Sequence, residues 1–326
     1  DLYSMSSDID ASNNEGQHDN WVLRVDAQGN LMWEKSFGFL GHDHAYSIIT
    51  TQDGGLLFNG FLDVTSSGGL GSTSKGQRHG VGEFWVHKID ASGNIQWRRY
   101  YGGTNNDLSY AAVETEGGNF VIVGTTESTD VDISAPRGDY DVWVIKIAAD
   151  GTLLWERSFG GSEYEGSNAV WLDSKQVLHV FGNTFSTDKD ISSPLGSSDF
   201  WLISVDQKGN LLSENTFGGT AFDLGRDLLI DKNNQFWLTG YSRSSDIDLS
   251  ENHGDNDIVL LQLDQNKFPK QHFSLGGSGL DIAHAIVELP QGGILVVGST
   301  ESVDGSFTGN RGNKDIFLAL WDGILE

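Results

Sequence analysis

A repeat of fixed length constrains the fold of this chain more than any other feature of its sequence. An acidic residue opens an apolar, strand-like run in six successive copies, at Asp19, Glu83, Asp141, Asp199, Asp257 and Asp315. The intervals between these acids are 64, 58, 58, 58 and 58 residues. A period of this size, kept without slippage, is typical of proteins that stack or radially arrange copies of one supersecondary unit.

Each copy contains four predicted strands, here called a, b, c and d. In the copy from Tyr164 to Gly219 they are predicted at Asn168–Leu172, Val177–Asn183, Phe200–Asp206 and Leu211–Phe217. The turn between strands c and d contains Gly209, which can adopt the positive φ that tight hairpins require. Four short antiparallel strands at this spacing are typical of one β-propeller blade. We therefore predict an all-β fold, with residues 1–326 forming a single β-propeller domain.

The number of blades depends on how the copies begin and end. The sequence predicts a partial blade at 1–38, full blades at about 43–103, 107–161, 165–219 and 223–277, and a partial closing blade at 281–326. This division gives 21 strands, whereas five closed blades need 20 and six need 24. We favour five blades, with the N-terminal strands c and d completing the last copy. Six or seven blades, or a piece of a longer array, are the alternatives.

Aromatic residues recur at fixed places in the copies. Trp21, Trp85, Trp143 and Trp201 share a strand-c position, Trp33, Trp97 and Trp155 share a strand-d position, and Phe37, Tyr101, Phe159 and Phe217 share another. Large rings repeated in this way are most simply explained as core between packed sheets, where each can bury on the order of 150–250 Å².

The repeated phrase resembles a known bacterial family. Residues Asp141–Gly161 follow the pattern D-x-W-V-x-K-I-x-x-x-G-x-x-x-W-x-x-x-F-G-G, and Val123–Thr126 follow V-G-x-T. This pattern is similar to the bacterial β-propeller repeat often called SBBP, which abounds in secreted proteins of Gram-negative bacteria, especially Bacteroidetes. The resemblance covers essentially the whole chain. It implies export to the extracellular space or cell surface, and it says almost nothing about activity.

Composition narrows the classes of partner. Lys and Arg number 20 and Asp and Glu number 46, so the formal net charge is −26. This charge repels phosphate backbones and anionic lipids, and we therefore expect neither nucleic-acid binding nor attachment to a membrane surface. The sequence contains no run of about 18 apolar residues, so we also expect no membrane insertion. The absence of cysteine excludes disulfides and thiolate metal sites.

The predicted functional face carries the d–a and the long b–c loops, and two rows of residues belong there. The first row is acidic and opens each strand a: Asp43, Asp107, Glu165, Asp223 and Asp281. These carboxylates are candidates for cation or ligand binding, or for acid and base catalysis on a sugar. The alternative is structural, because each carboxylate could accept backbone N–H groups from its own turn.

The second row lies three residues further along and varies in chemistry: Tyr46, Tyr110, Asn168, Arg226 and His284. A structural position tends to repeat its residue, whereas a position that contacts a ligand need not. We therefore predict that this row binds ligand. Tyr46, Tyr110, Arg226 and His284 are also the catalytic candidates, in a combination that suits β-elimination from an acidic polysaccharide.

Further candidates lie in the b–c loops. Carboxylates occupy alternate positions in the pairs Asp130 and Asp132, Asp188 and Asp190, Asp246 and Asp248, and Asp8 and Asp10. Calcium is therefore a possible cofactor, although Asx turns explain the same residues. The longer loop between Leu62 and Glu83 carries Lys75 and Arg78, which are candidate anion contacts, and His79. His42 and His44 flank Asp43, and we expect their side chains to diverge rather than to share one metal ion.

The sequence leaves three functions open. The favoured one is a non-enzymatic recognition or scaffold protein that binds a glycan or a protein through the b–c/d–a loop face. The second is a polysaccharide-active enzyme, either a lyase or a glycoside hydrolase, with its site at the mouth of a central channel. The third is a spacer within a larger surface protein.

Overall fold

The computed structural model describes residues 3–4, 18–64, 80 and 82–322, and this part of the chain is built from antiparallel sheets. Sheet I contains β1 (Tyr3–Ser4), β2 (Asp19–Val25) and β3 (Leu31–Phe37). Sheet II contains β4 (Asp43–Thr50), β5 (Leu56–Asp63), β6 (Gly82–Ile89) and β7 (Ile95–Tyr101). Sheet III contains β8 (Asp107–Thr115), β9 (Asn119–Thr126), β10 (Asp141–Ile147) and β11 (Leu153–Phe159), with a 3-10 turn at Glu116–Gly118.

The second half of the chain repeats the same plan. Sheet IV contains β12 (Glu165–Leu172), β13 (Leu178–Thr184), β14 (Asp199–Val205) and β15 (Leu211–Phe217). Sheet V contains β16 (Asp223–Ile230), β17 (Phe236–Ser242), β18 (Asp257–Leu263) and β19 (Pro269–Leu275). Sheet VI contains β20 (Asp281–Glu288), β21 (Ile294–Thr300) and β22 (Asp315–Trp321).

The all-β prediction and the repeated four-stranded meander are confirmed, but the preference for five blades is wrong. The described residues form six sheets, of which the first and last have three strands. A five-sheet arrangement requires β2 to pair with strand b of the last copy. That edge of β2 is instead paired with β1, where Tyr3 pairs with Asn20 and Ser4 with Asp19. The matching edge of β21 is paired with β22.

The chain divides into two compact units, Asp1–Phe159 and Gly160–Glu326. The first unit holds sheets I to III and the second holds sheets IV to VI. In the part of the chain that the structure describes, no helix has the length and apolar character needed to cross a membrane.

The prediction that the repeated aromatic residues form core between neighbouring sheets is confirmed for the strand-c tryptophan of sheet III. Trp143 of sheet III is fully buried and packs edge-on against Phe84 of sheet II, with ring centroids 4.6 Å apart. The strand-d tryptophans are only partly buried and act at the opposite end of the sheet. Trp97 donates its indole N–H to the carbonyl oxygen of Ala149, in the c–d turn of the next sheet, at 2.7 Å.

A β-bulge near the start of each strand a positions the second candidate row. The register between strands a and b shifts at residues 46, 110, 168, 226 and 284. A bulge leaves one residue out of the ladder and re-aims its side chain. Opposite each bulge, strand b carries glycine, because a methyl group on Gly182 would overlap the carbonyl oxygen of Gly166.

Candidate functional site

The acidic row that opens each strand a is buried and serves the fold. All five carboxylates are completely shielded from solvent. Each accepts the backbone N–H of the residue four positions earlier in the d–a loop, at 2.6 Å from Phe39, 2.8 Å from Gly103, 2.6 Å from Gly161, 2.7 Å from Gly219 and 2.9 Å from Gly277. The local geometry matches the structural alternative, in which each carboxylate holds its own turn.

Hydroxyl groups from the end of strand b complete this arrangement. In sheet V, Asp223 accepts hydrogen bonds from the hydroxyls of Ser242 and, at 2.8 Å, Ser244. Asp107 accepts the hydroxyls of Thr126 and Ser128, and Asp281 accepts those of Thr300 and Ser302. Glu165 accepts the Thr184 hydroxyl and the backbone N–H of Ser186. Burial raises the pKa of Asp107 to about 6, against the lowering effect of the Thr126, Gly103 and Ser128 hydrogen bonds.

The junction before β4 departs from this pattern. Leu62 and Val64 replace the two hydroxyl-bearing residues, and Oδ1 of Asp43 has no hydrogen-bond partner among the described residues. Burial raises the pKa of Asp43 to about 7, and the nearby Asp19 carboxylate adds to that rise. The fold therefore tolerates one incomplete copy of a motif that it otherwise repeats.

The paired aspartates of the b–c loops anchor the d–a loop of the same junction. Oδ1 of Asp188 accepts the Ser162 N–H at 2.8 Å, and Oδ2 of Asp190 accepts the Gly160 N–H at 3.1 Å. Asp246 and Asp248 make the equivalent bonds with Thr220 and Gly218. The residue between the two aspartates has positive φ, near 60°. These hydrogen bonds account for the repeated pattern, and calcium binding there stays a prediction.

The Asp132 carboxylate makes the same loop contact as Asp190 and Asp248. Oδ2 of Asp132 accepts the Gly102 N–H at 3.1 Å, while the Asp132 N–H donates to the Gly102 carbonyl oxygen at 3.2 Å. Asp130 likewise accepts the Thr104 N–H at 2.9 Å. Among the described residues, Asp130 and Asp132 have no third ligating side chain close enough to complete a cluster of three. Asp132 therefore anchors the d–a loop, and its role as a metal ligand stays a prediction.

In the first unit, the bulge residues contribute to a row of aromatic rings. The rings of Tyr46 and Tyr110 lie 5.2 Å apart, and Tyr46 stacks nearly parallel to His44 at 6.1 Å. Tyr46 is 42% exposed. Burial of its remaining surface raises the pKa of the Tyr46 phenol, which therefore stays neutral at physiological pH.

Tyr46 also lines a cavity of about 300 Å³ between β2 and β4. Asn20, Trp21 and Phe58 are among the other lining residues. Asn20 is 1% exposed, and neither amide atom of its side chain is hydrogen bonded to any described residue. The other copies have apolar residues at this place, namely Phe84, Val142, Phe200, Ile258 and Ile316. The sequence interpretation missed Asn20, although this substitution of a polar for an apolar residue was visible in the repeat.

In the second unit, the bulge residues are polar and basic. The Asn168 amide donates to the Gly225 carbonyl oxygen at 2.7 Å. The Arg226 guanidinium lies 5.4 Å from the ring centroid of Tyr241, and its Nε is buried with no partner in the described chain. His284 lies 3.2 Å from the hydroxyl of Ser299. Burial lowers the pKa of His284, and the charges of Arg226 and Lys314 lower it further.

The expectation that the His42 and His44 side chains diverge is wrong. Positions i and i+2 of a strand point to the same side of the sheet. The two rings are accordingly parallel, with centroids 6.4 Å apart. A third histidine, His18, was not considered from the sequence and lies beside both of them.

Several sequence candidates lie outside the described residues. They are Asp8, Asp10, Lys75, Arg78 and His79. Of the catalytic candidates, Tyr46 and Tyr110 belong to the first compact unit and Arg226 and His284 to the second.

A comparison with models of known protein families gives no match. The chain is 24% identical over 180 residues to the regulatory protein FlaEY of Caulobacter vibrioides, an alignment that covers 53% of this chain and 19% of that protein. The chain therefore spans about a fifth of this curated relative. A relative of this identity and coverage does not define a family for the chain.

Three solved structures are similar to this chain at low identity. A protein of unknown function from Bacteroides caccae has a TM-score of 0.46 at 10% identity, covering 85% of this chain and 82% of its own. A member of the DUF4221 family from Bacteroides vulgatus has a TM-score of 0.47 at 9% identity, covering 95% of this chain and 87% of its own. An α-L-arabinofuranosidase from Lactobacillus brevis has a TM-score of 0.41 at 11% identity, covering 84% of this chain and 88% of its own.

Proposed function

We propose that this chain is a non-catalytic recognition protein that binds a glycan through the bulge residues of its a strands and the loops beside them. One observation carries the proposal. At five places with the same backbone geometry, the side chain that leaves the ladder is Tyr46, Tyr110, Asn168, Arg226 or His284. A bulge fixes where a side chain points without fixing which side chain it must be. Such positions can change with the ligand at little cost to the fold.

The repeated acids support a binding role over hydrolysis. Glycosidases use two carboxyl groups that both reach the scissile bond. The acids that open the a strands are fully buried, and their oxygens accept hydrogen bonds from their own loops. A carboxylate used in this way supports the fold and offers little to a substrate.

The first unit supports a carbohydrate ligand in particular. Ligand sites combine apolar and aromatic walls with a few polar groups that fix orientation. Tyr46 and Tyr110 supply flat rings, and Asn20 supplies an amide donor and acceptor in the adjoining cavity. A sugar ring has apolar faces and a rim of hydroxyl groups, which such a surface complements. Binding of a protein instead would be a different outcome of the test below.

Further expectations belong to this proposal. The blade-like order of each sheet supports a closed β-propeller of the secreted SBBP type, located outside the cell or on its surface. The strong negative charge and the alternate aspartates support binding of Ca²⁺ in the b–c loops, through carboxylate oxygens other than those that anchor the d–a loops. A protein at the cell surface can also be part of a larger surface assembly, and we include this association in the proposal.

One observation favours a second function, a polysaccharide lyase. Burial lowers the pKa of the His284 imidazole, and the charge of Arg226 lowers it further. A neutral imidazole can accept a proton, and an adjacent guanidinium can hold a carboxylate of the substrate. A hydrolase has no comparable support, because the repeated carboxylates are buried.

The test is a panel of soluble neutral and acidic polysaccharides, with and without a calcium chelator. Binding is measured by calorimetry, and turnover by new reducing ends and by the absorbance of unsaturated products. We expect binding without product. Product formation that is lost in Arg226→Ala and His284→Ala would instead establish the lyase. Absence of both binding and product across the panel would overturn the glycan proposal.

A further inference from the structure

Three histidines from two sheets converge beside the start of β4. His18 precedes β2 of sheet I, His42 precedes β4 of sheet II, and His44 is the second residue of β4. Their nearest ring nitrogens all lie within 4.8 Å of one another. Nδ1 of His18 and Nδ1 of His42 are only 3.1 Å apart. Among the described residues, this is the one cluster of at least three such ligating side chains.

The backbone that brings these residues together is a regular feature of the repeat. His18 and His42 form a parallel bridge, in which the Asp43 N–H donates to the His18 carbonyl oxygen at 2.9 Å. The same bridge joins Ser198 to Phe222 and Asn256 to Leu280. The repeated backbone bridge therefore brings the two segments together at each of these junctions. The side chains at each junction determine whether a binding site can form there.

Only this junction places histidine at these three positions. The residues equivalent to His18 are Gly82, Tyr140, Ser198, Asn256 and Lys314. Those equivalent to His42 are Asn106, Tyr164, Phe222 and Leu280, and those equivalent to His44 are Leu108, Gly166, Leu224 and Ile282. Since these copies form the same kind of sheet without histidine, the fold does not require the imidazoles.

We propose that His18, His42 and His44 bind a divalent transition-metal ion, with Zn²⁺ as the representative case. Imidazole nitrogen is a ligand that suits Zn²⁺, Ni²⁺ and Cu²⁺. In a tetrahedral zinc site with bonds of 2.0–2.1 Å, neighbouring nitrogens are separated by about 3.3 Å. The 3.1 Å separation of the His18 and His42 nitrogens already meets that distance. Rotation of the His44 side chain brings in the third ligand.

The surroundings favour a cation with one open coordination position. His42 is exposed, so an ion can enter from solvent, and the chain as a whole is strongly negative. Three protein ligands leave the fourth tetrahedral position for water or for an oxygen of a bound molecule. Tyr46 stacks on His44, so this position lies beside the proposed aromatic binding row. Metal binding itself does not depend on the glycan proposal.

The experiment is calorimetric titration of the full chain with ZnCl₂ and NiCl₂, after removal of metals with EDTA and without a polyhistidine tag. We expect one ion per chain. Each of His18→Ala, His42→Ala and His44→Ala should weaken binding at least about tenfold, because even residues that only support metal ligands contribute that much. Co²⁺ should give the visible absorption of a tetrahedral nitrogen site in the wild type and lose it in the triple variant.

His272→Ala is the matched control, since His272 is a partly exposed strand histidine whose ring nitrogen lies 3.0 Å from the Ser250 hydroxyl. This variant should bind metal as the wild type does. No binding at about 1 mM Zn²⁺, which corresponds to less than roughly 4 kcal/mol, would overturn the proposal. Unweakened binding by the triple variant would also overturn it. If that variant fails to fold, Zn²⁺ should still protect His18, His42 and His44 of the wild type from diethyl pyrocarbonate, and absence of protection would contradict the site.

Discussion

The junctions before β4 and before β16 share one backbone design and differ in their side chains. Before β16, Asp223 accepts hydrogen bonds from Gly219, Ser242 and Ser244. Before β4, Asp43 accepts the Phe39 N–H, and the two hydroxyl-bearing residues are absent. The β4 junction instead has three histidines, an exposed tyrosine and a buried asparagine whose amide has no partner among the described residues.

This difference separates the residues that make the fold from those available for other roles. The acids that open the a strands and the glycines opposite the bulges keep their backbone contacts from copy to copy. The side chains that break the repeat at the β4 junction are candidates for binding, namely Asn20, Tyr46 and the three histidines. Four predictions test this distinction, beginning with the largest expected effect.

The backbone of the bulge should be equally indispensable in both regions. Gly60→Ala and Gly182→Ala each place a methyl group against a carbonyl oxygen, of His44 and of Gly166 respectively. Each change should lower the free energy of unfolding by about 3 kcal/mol or more, measured by urea denaturation. Gly29→Ala is the control, since it meets no neighbouring atom and suffers only from its positive φ. Tolerance of alanine at Gly60 alone would mean that the β4 junction lacks a tight bulge.

The buried carboxylate should matter more where its hydroxyl partners are present. Asp223→Ala leaves one N–H and two hydroxyls without their acceptor, whereas Asp43→Ala leaves one N–H. We expect losses of about 3 kcal/mol and about 1 kcal/mol in the free energy of unfolding, because buried donors without partners are costly. Equal losses in the two variants would show that the hydroxyls contribute nothing.

A regular junction should also give the protein a measurable pH dependence. Burial raises the pKa of Asp107 to about 6 from 3.8, so between these values the folded state binds more protons than the unfolded state. The contribution of Asp107 is therefore fully present below pH 4 and is lost as the pH rises to about 6. Its full size is about 3 kcal/mol, given 1.36 kcal/mol for each pKa unit between 3.8 and about 6, and about 2 kcal/mol of this is lost between pH 4 and pH 7.

Asp107→Asn removes this titration. The difference in unfolding free energy between wild type and variant should accordingly shrink by about 2 kcal/mol as the pH rises from 4 to 7. Unfolding by urea at a series of pH values measures it. A constant difference across this range would contradict the raised pKa.

The smallest effect should come from restoring an apolar residue to the β4 junction. Asn20→Val replaces a buried amide that has no partner in the described residues with the residue that Val142 provides in sheet III. The unfolding free energy should rise by up to about 1 kcal/mol, because the unsatisfied polar group is removed. The same change should weaken glycan binding. A more stable variant with unchanged binding would remove Asn20 from the site.

The sequence predicted the repeating unit well because its strands are bounded by turn residues and its apolar positions recur. Strand d of the fourth copy is found at Leu211–Phe217 as predicted, whereas strand a begins at Glu165, three residues before its prediction. The apolar run starts late because the bulge at Asn168 interrupts the alternation of buried and exposed residues. Pairing nevertheless extends back to Glu165 and Thr184.

Other features depend on contacts that no single repeat displays. The number of sheets is decided by whether β1 pairs with β2, and only two residues form that pairing. The varied row Tyr46, Tyr110, Asn168, Arg226 and His284 was recognised by its spacing, but its bulge was not. The hydrogen bond between Gly102 and Asp132 joins residues 30 apart in the chain, so the sequence alone did not reveal this loop contact. His18 lies 24 residues from His42, so only the bridge between two sheets reveals the cluster.

The most direct test of the account is glycan binding by two bulge variants. One is Tyr46→Ala/Tyr110→Ala, and the other is Asn168→Ala/Arg226→Ala/His284→Ala. Phe268→Ala is the control, since this exposed aromatic ring lies at a c–d turn. The account predicts that at least one bulge variant loses binding at least about tenfold while its thermal midpoint stays within about 3 °C of the wild type. Unchanged binding in both variants, or loss of folding in both, would contradict the claim that this row binds ligand rather than maintaining the fold.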